Sequence, residues 1–131
     1  MISTRLILIV LVVIIMSACS GGVNKTASSQ IDYLHLPSID YKNLKVIYEP
    51  NLDDYYSKKS KENDETGEVV IRIIIDSDGK VKDVQLLKSS NYPRLDRAAY
   101  DIGLKYKFEP YQQNGKSIVF RTQLLVTFKL H

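Results

Sequence analysis

Residue types that commonly carry chemistry are sparse in this chain of 131 residues. The two histidines, His35 and His131, lie far apart and lack the spacing of a metal site or a catalytic triad. Asp76 and Asp78, before Gly79, resemble the start of a calcium loop, but the glutamate that would complete the pattern is missing. This segment therefore predicts a turn. Because none of these residues forms a catalytic or metal-binding pattern, we expect a protein that is not an enzyme and holds no metal or cofactor.

Two charged groups of residues could also suggest a site. Asp96 and Arg97 are adjacent within a helical pattern, where such pairs are usually solvated or contribute to a cap. The lysines of segment 58–61 follow Tyr55 and Tyr56 and could contact phosphates or peptidoglycan. A solvated helix face explains these lysines more simply, so we assign no chemistry to either group.

The single cysteine, Cys19, is the residue with the clearest chemical context. An unbroken apolar run, Leu6–Met16, precedes it and follows one positive charge, Arg5. As a helix this run would span about 16 Å, whereas a bilayer core of about 30 Å needs about twenty residues. The run therefore has the size of the apolar core of a signal peptide. Residues 16–19 (Met-Ser-Ala-Cys) resemble the lipobox of bacterial lipoproteins, which implies lipid attachment at Cys19.

The resemblance to a lipobox implies a signal peptide over residues 1–18 and a membrane anchor on Cys19. Ser20 follows the cysteine, and by resemblance to bacterial sorting signals this favours the periplasmic side of the outer membrane. An uncleaved N-terminal anchor in the inner membrane stays open as an alternative. Without residues 1–18 the formal net charge falls from +3 to +2, because Arg5 is their only charge. So small a charge indicates no nucleic-acid partner.

Residues 19–50 predict a tether or linker. Small polar residues at 20–22 and 27–29 carry neither a helical nor a strand period. Apolar residues are scattered from Ile31 to Tyr48, and these could pack on a folded domain or on a partner.

Residues 51–131 carry the periodic patterns of one folded domain. Together these patterns predict an α+β fold, a small three-stranded antiparallel sheet with two helices packed on one face. The expected elements are a helix over 51–61, strands over 69–75 and 81–87 joined by a turn at 76–79, a helix from Leu95 with Ser89–Asn91 as its N-cap region, a turn at Asn114-Gly115 and a long strand over 118–130.

Seven short motifs follow one another along this domain. They are Gly67-Glu68-Val69, Ile75-Asp76-Ser77-Asp78-Gly79-Lys80-Val81, Ser89-Ser90, Leu95-Asp96-Arg97-Ala98-Ala99, Phe108-Glu109-Pro110, Asn114-Gly115-Lys116 and Val126-Thr127-Phe128-Lys129-Leu130. In this order they resemble the TonB C-terminal domain family, over residues 51–131. Tyr56 falls where the family has a Tyr-Pro motif. Because Ser57 replaces the proline, we expect the first helix to start differently.

The resemblance implies a mechanical binding activity. The family's domain binds the plug or N-terminal box of an outer-membrane transporter, or another periplasmic protein. An exposed sheet edge is a template for an added strand, and it also leaves open a homodimer through that edge. The family's edge is its last long strand, so the predicted partner-binding residues are Ile118, Phe120, Arg121, Thr122, Gln123, Leu124, Val126 and Phe128.

A lipid on Cys19 would change the family's usual role. Family members couple to a proton-driven motor through an inner-membrane helix, and a chain anchored in the outer membrane could not make that contact. We therefore expect a TonB-like binding lipoprotein of the periplasm. Two alternatives stay open: a short energy transducer with an uncleaved anchor that couples proton-motive force to outer-membrane transport, and a structural lipoprotein that binds peptidoglycan.

Overall fold

The structure is a computed structural model that describes residues 33–131. The predicted signal peptide, the lipobox with Cys19 and tether residues 19–32 lie outside the described residues. Within residues 33–131, short 3-10 helices occupy Tyr33–His35, Tyr41–Asn43 and Leu52–Asp54. The remaining elements are β1 (Val46–Tyr48), α1 (Lys58–Glu62), β2 (Gly67–Ile75), β3 (Val81–Lys88), α2 (Pro93–Lys105), β4 (Lys107–Phe108), β5 (Gln112–Gln113), β6 (Lys116–Ser117) and β7 (Phe120–Phe128).

The main sheet is antiparallel, with the order β3-β2-β7, and it confirms the predicted α+β fold. The apolar strand β2 lies in the centre because it is buried on both faces. Ile71 and Ile73 pack in the main core, while Ile74, on the opposite face, is also fully buried. Strands β2 and β7 pair continuously from Gly67 with Phe128 to Ile75 with Phe120, without a register shift.

The predicted turn between β2 and β3 is confirmed. The Asp76 carboxylate accepts hydrogen bonds from the backbone N–H groups of Asp78 and Lys80, at 2.9 and 3.0 Å. Gly79 has a φ of +85°, and its carbonyl accepts a hydrogen bond from Phe108 N at 3.0 Å. The acidic residues of this segment therefore shape the turn, and the turn itself binds the chain that follows α2.

Helix α2 covers one face of the sheet, but its N-terminus differs from the prediction. Pro93 occupies the first turn as expected, whereas the N-cap is Tyr92, which makes no side-chain cap bond. Ser89 and Ser90 instead donate their hydroxyls to the Asp96 carboxylate, which also accepts from Ser90 N at 2.8 Å. Burial tends to raise the pKa of Asp96, but these hydrogen bonds outweigh it and hold the pKa below its usual value.

The first predicted helix, over residues 51–61, is divided in two. A 3-10 turn ends at Asp54, and α1 begins at Lys58. Ser57 separates them because its side chain accepts a hydrogen bond from Ser60 N at 3.1 Å, which makes it the N-cap of a new helix. The predicted single helix over residues 51–61 is therefore corrected to a 3-10 turn followed by α1.

Residues 33–50, which the sequence assigned to a linker, form part of the folded unit Tyr33–His131. Strand β1 pairs antiparallel with β4. The Tyr41 ring lies edge-on to the rings of Tyr106 and Phe108, with centroids 6.4 and 6.3 Å apart. Tyr106 Oη donates a hydrogen bond to the Glu49 carboxylate at 3.2 Å. Aromatic packing therefore holds this segment on the domain, although it has no sequence period.

A buried ion pair joins the segment before β2 to helix α2. Tyr56 Oη donates to the backbone carbonyl of Glu65, whose own side chain is buried and ion-pairs with Arg94. The hydrogen bonds from Arg94 lower the pKa of Glu65 below its usual value, although burial opposes them. The ionised form of Glu65 therefore stabilises the fold.

This ion pair predicts a specific loss of stability in acid. Because the pKa of Glu65 is lower in the folded state than in the unfolded state, its contribution is complete above the unfolded value. The contribution is lost as the pH falls through the folded value, below about pH 4. We expect Glu65→Gln to be less stable at pH 7 and to lose less stability than the wild type on acidification. Urea unfolding at pH 7 and pH 3 measures both effects.

Glu62→Gln is the matched control, since it removes an exposed ion pair between α1 residues Lys58 and Glu62, 3.7 Å apart. It should leave the pH dependence unchanged. An acid response of Glu65→Gln equal to that of the wild type would contradict the assignment.

Two turn glycines predict different costs for the same substitution. Gly79 and Gly115 both have positive φ, +85° and +77°. A Cβ at Gly79 would overlap the Phe108 carbonyl oxygen, whereas a Cβ at Gly115 would meet nothing within 4 Å. We expect Gly115→Ala to cost about 1 kcal/mol of unfolding free energy and Gly79→Ala clearly more, about 2 to 3 kcal/mol. Urea denaturation followed by circular dichroism measures the difference, and equal costs would refute the close approach.

Candidate functional site

The main sheet has two edge strands, and they differ in their protection against added strands. Edge strand β3 carries Lys82 and Lys88, and its pairing with β2 has register shifts near both ends. Charges and bulges of this kind discourage strand addition. Edge strand β7 pairs without a shift and carries no charge between Arg121 and its end at Phe128. The edge of β7 is therefore the better candidate for strand docking.

Arg121 identifies the backbone groups of β7 that point away from the sheet. Its N–H donates to the Pro37 carbonyl and its carbonyl accepts from Ile39 N, both at 2.9 Å. Because the direction of backbone groups alternates along an antiparallel strand, Gln123, Leu125 and Thr127 also direct N–H and C=O outward. Among residues 33–131, no strand pairs with these three positions. They form the open edge of the sheet.

The structure places the eight predicted partner-binding residues in three groups. Gln123 lies on the open edge, and Arg121 begins that edge but already pairs with residues 37–39. Ile118 precedes β7 and donates its N–H to the Tyr111 carbonyl at 3.0 Å. The other five have side chains buried in the core, and their backbone groups face β2: Phe120, Thr122, Leu124, Val126 and Phe128.

Leu125 and Thr127 belong to the open edge but were not among the predicted residues. The Leu125 side chain is 59% exposed, the highest value for a large apolar residue within β7. A sequence signal was present, because Leu125 stands at an odd-numbered position of a strand whose other apolar residues all stand at even-numbered positions. A leucine at a solvent-facing position of an alternating strand leaves apolar surface exposed, and such surface is a candidate contact for a partner.

Leu125 and Val70 of β2 form an apolar pair on the sheet face opposite α2. Val70 in turn pairs with Lys88 of β3 at a register shift, next to the exposed Leu87. The neighbouring row is polar. In it Gln123 pairs with Arg72, whose Nη1 donates to Gln85 Oε1 at 3.2 Å. The outer face next to the open edge therefore alternates apolar and polar rows.

The other end of this face is covered by residues 33–38. Tyr33 is buried, and its burial, with the nearby Asp83 carboxylate, raises the pKa of its hydroxyl. Arg121 Nε donates to the Leu36 carbonyl at 3.1 Å. An open groove of about 410 Å³ lies where this segment leaves the strand, lined by Ser38, Ile39, Asp40, Tyr41, Thr122 and Gln123. The open edge thus starts at a groove.

Other kinds of site find no support in the part of the chain that the structure describes. No group of histidine, cysteine or acidic side chains there is placed to hold a metal ion. No helix there combines the length and the apolar character that crossing a membrane requires.

Comparison with known proteins finds a match over most of the folded domain. The family described as Gram-negative bacterial TonB protein C-terminal matches residues 53–130. Protein TonB of Xanthomonas campestris pv. campestris is 38% identical over 65 residues, which cover 50% of this chain and 29% of that protein. Protein TonB of Neisseria meningitidis serogroup C is 46% identical over 44 residues, 34% of this chain and 16% of that protein. This chain thus spans less than a third of the length of these curated relatives.

The fold also resembles a solved structure, the solution NMR structure of the Pseudomonas aeruginosa TonB CTD. The two superpose with a TM-score of 0.59 at 25% sequence identity. The match covers 73% of this chain and 95% of that one. The resemblance that the seven motifs indicated is therefore confirmed by sequence and by fold.

Proposed function

We propose, from the fact that this chain belongs to the TonB C-terminal family, that it binds an outer-membrane transport protein or another periplasmic protein by strand pairing. The observation that carries the proposal is the open edge of β7. At Gln123, Leu125 and Thr127 this edge presents backbone donors and acceptors that have no strand partner within residues 33–131. An incoming extended segment would satisfy them.

The strength of such pairing is modest. The three outward residues supply six backbone groups, and a protein hydrogen bond contributes a net of about 1 kcal/mol. Association costs several kcal/mol in lost translational and rotational freedom, so backbone pairing alone gives weak binding. Side-chain contacts must add to it, and the exposed Leu125 is the apolar group best placed to provide them.

The proposed location is the periplasmic side of the outer membrane, with a lipid on Cys19 as the anchor. In this position the chain acts as a tethered adaptor or competitor for the partner and does not transmit force. The support for this is the apolar run and lipobox of residues 6–19. The three acyl chains of a mature lipoprotein would anchor it firmly, whereas one chain binds reversibly.

The similarity to proteins named TonB favours a second candidate function. In it, residues 1–18 stay uncleaved as an inner-membrane anchor, and the chain is a short energy transducer. The two candidates share the docking edge of β7 and differ only at the N-terminus. Mass spectrometry of the mature protein separates them, since the transducer retains Met1 and the lipoprotein begins at a modified Cys19.

Strand pairing predicts a strong effect of proline at Gln123. Gln123→Pro removes an outward N–H that no strand among residues 33–131 uses, and its ring would obstruct the partner's carbonyl. We expect partner capture to fall about tenfold, equivalent to about 1.4 kcal/mol, with the fold unchanged. Crosslinking in intact cells through a photoreactive amino acid at Lys129 measures capture.

The matched control is Gln123→Ala, which shortens the same side chain but keeps the N–H. It should capture the partner nearly as well as the wild type. Equal capture by the proline variant, with an unchanged melting temperature, would refute pairing at this edge.

Lipid anchoring predicts that Cys19→Ser abolishes labelling by a palmitate analogue and moves the protein from the membrane to the soluble fraction. The thiol is the group that receives the lipid, and serine cannot replace it in a thioether. Metabolic labelling and cell fractionation measure both effects. A wild-type protein that takes up no palmitate analogue and retains Met1 would support the transducer instead.

A further inference from the structure

Residues Leu36–Ile39, here called the strap, occupy the first outward position of β7. The strap runs parallel to the strand and forms a single bridge, Ser38 with Arg121. Two backbone hydrogen bonds of 2.9 Å and the bond from Arg121 Nε to the Leu36 carbonyl hold it there. The strap therefore pairs with the edge as a bound peptide would, but only over one residue of β7.

The strap leaves the strand abruptly, and the sequence explains why. The Asp40 carboxylate accepts a hydrogen bond from Lys42 N at 3.0 Å and caps the 3-10 turn Tyr41–Asn43. This turn directs the chain away before it can reach Gln123. Pro37, at the other end, has no N–H to offer to a further strand. The edge is thus blocked at Arg121 and open from Gln123 onward.

We propose that the strap limits docking to Gln123–Thr127, so that the partner is an extended segment of about five residues with an apolar central side chain. The inference rests on the proposed strand pairing and defines its length and sequence pattern. A segment that reached Arg121 would have to displace the strap, because Pro37 and Ile39 already use that residue's N–H and carbonyl.

The rows of side chains on the outer face define the pattern of the partner. Directly paired residues of neighbouring strands point to the same face. A partner residue opposite Leu125 would therefore extend the apolar pair of Leu125 and Val70.

Partner residues two positions to either side would extend polar rows. One row contains Gln123 and Arg72, and the other contains Thr127 and Glu68. Arg72 Nε is buried and has no hydrogen-bond partner within residues 33–131, so a polar neighbour suits its row. The predicted pattern is polar, any residue, apolar, any residue, polar.

The strap can be released by one substitution. Ile39→Pro removes the N–H that bonds to the Arg121 carbonyl, and the proline ring would collide with that oxygen. Ile39→Ala is the matched control, because it also loses the half-buried isoleucine side chain but keeps the N–H. Amide hydrogen exchange at Arg121 reports release of the strap and should be faster in the proline variant than in the alanine variant.

The test uses two blocked synthetic peptides and the full chain, labelled with ¹⁵N in detergent micelles. The short probe is Ser-Thr-Val-Thr-Ser, and the long probe adds Ser-Thr at its start and Thr-Ser at its end. For the wild type and Ile39→Ala we expect the two probes to bind with dissociation constants within twofold of each other. Amide shifts should appear at Gln123, Leu125 and Thr127. For Ile39→Pro, the long probe should bind at least fivefold more tightly than the short one. Asparagine in place of the central valine should weaken both probes at least threefold.

The outcomes separate the strap from the proposed function. In one outcome, the long probe binds more tightly than the short probe by the same factor in the wild type as in Ile39→Pro. That result would overturn the strap limit and leave strand pairing intact. Arg121 exchange that is equal in the two variants would also overturn the strap limit. If neither probe binds to the wild type, Ile39→Ala or Ile39→Pro, strand pairing itself is overturned, and the inference with it.

Discussion

The candidate site depends on one constraint, which is that edge strand β7 has outward-facing backbone groups that β2 cannot satisfy. Successive residues of β7 direct their N–H and C=O groups alternately toward β2 and away from the sheet. The strand therefore has an inner set and an outer set of backbone groups that need hydrogen-bond partners. Strand β2 satisfies the inner set over its whole length. The outer set is satisfied at Arg121 by the chain's own residues 37–39, and it stays open at the next three outward positions. The proposed binding function depends on these open groups and requires no reactive side chain.

The continuous register between β2 and β7 determines which residues of β7 direct their backbone groups outward. A slip by one residue would exchange the buried and exposed side chains of β7. Burial of Phe120, Thr122 and Phe128, each at most 1% exposed, opposes such a slip. Strand β2 packs against helix α2 on one face, and on the other face its residue Ile74 is fully buried. The core therefore stabilises the fold and also determines which backbone groups a partner meets.

Strong local patterns made much of the fold predictable. The β-branched run of β2, the Asp-Ser-Asp-Gly turn and the position of Pro93 each specify their own conformation, and each appears as expected. Residues 33–50 were not predictable, because β1 has three residues and pairs with a strand of two. Elements this short are stabilised by contacts with distant residues, here the rings of Tyr106 and Phe108 around Tyr41, and they leave no period in the sequence.

The sequence by itself determined the family, the sheet with its helices and the strand that carries the candidate site, because ordered motifs and hydrophobic alternation are local properties of the chain. It placed Gln123 in the site, but it could not separate the outward residues from those that face β2. Only the tertiary structure decided that Leu125 and Thr127 belong to the open edge and that Leu36–Ile39 closes its beginning. That decision depends on which segments lie beside β7, and neighbours separated by more than eighty residues along the chain are brought together only by folding.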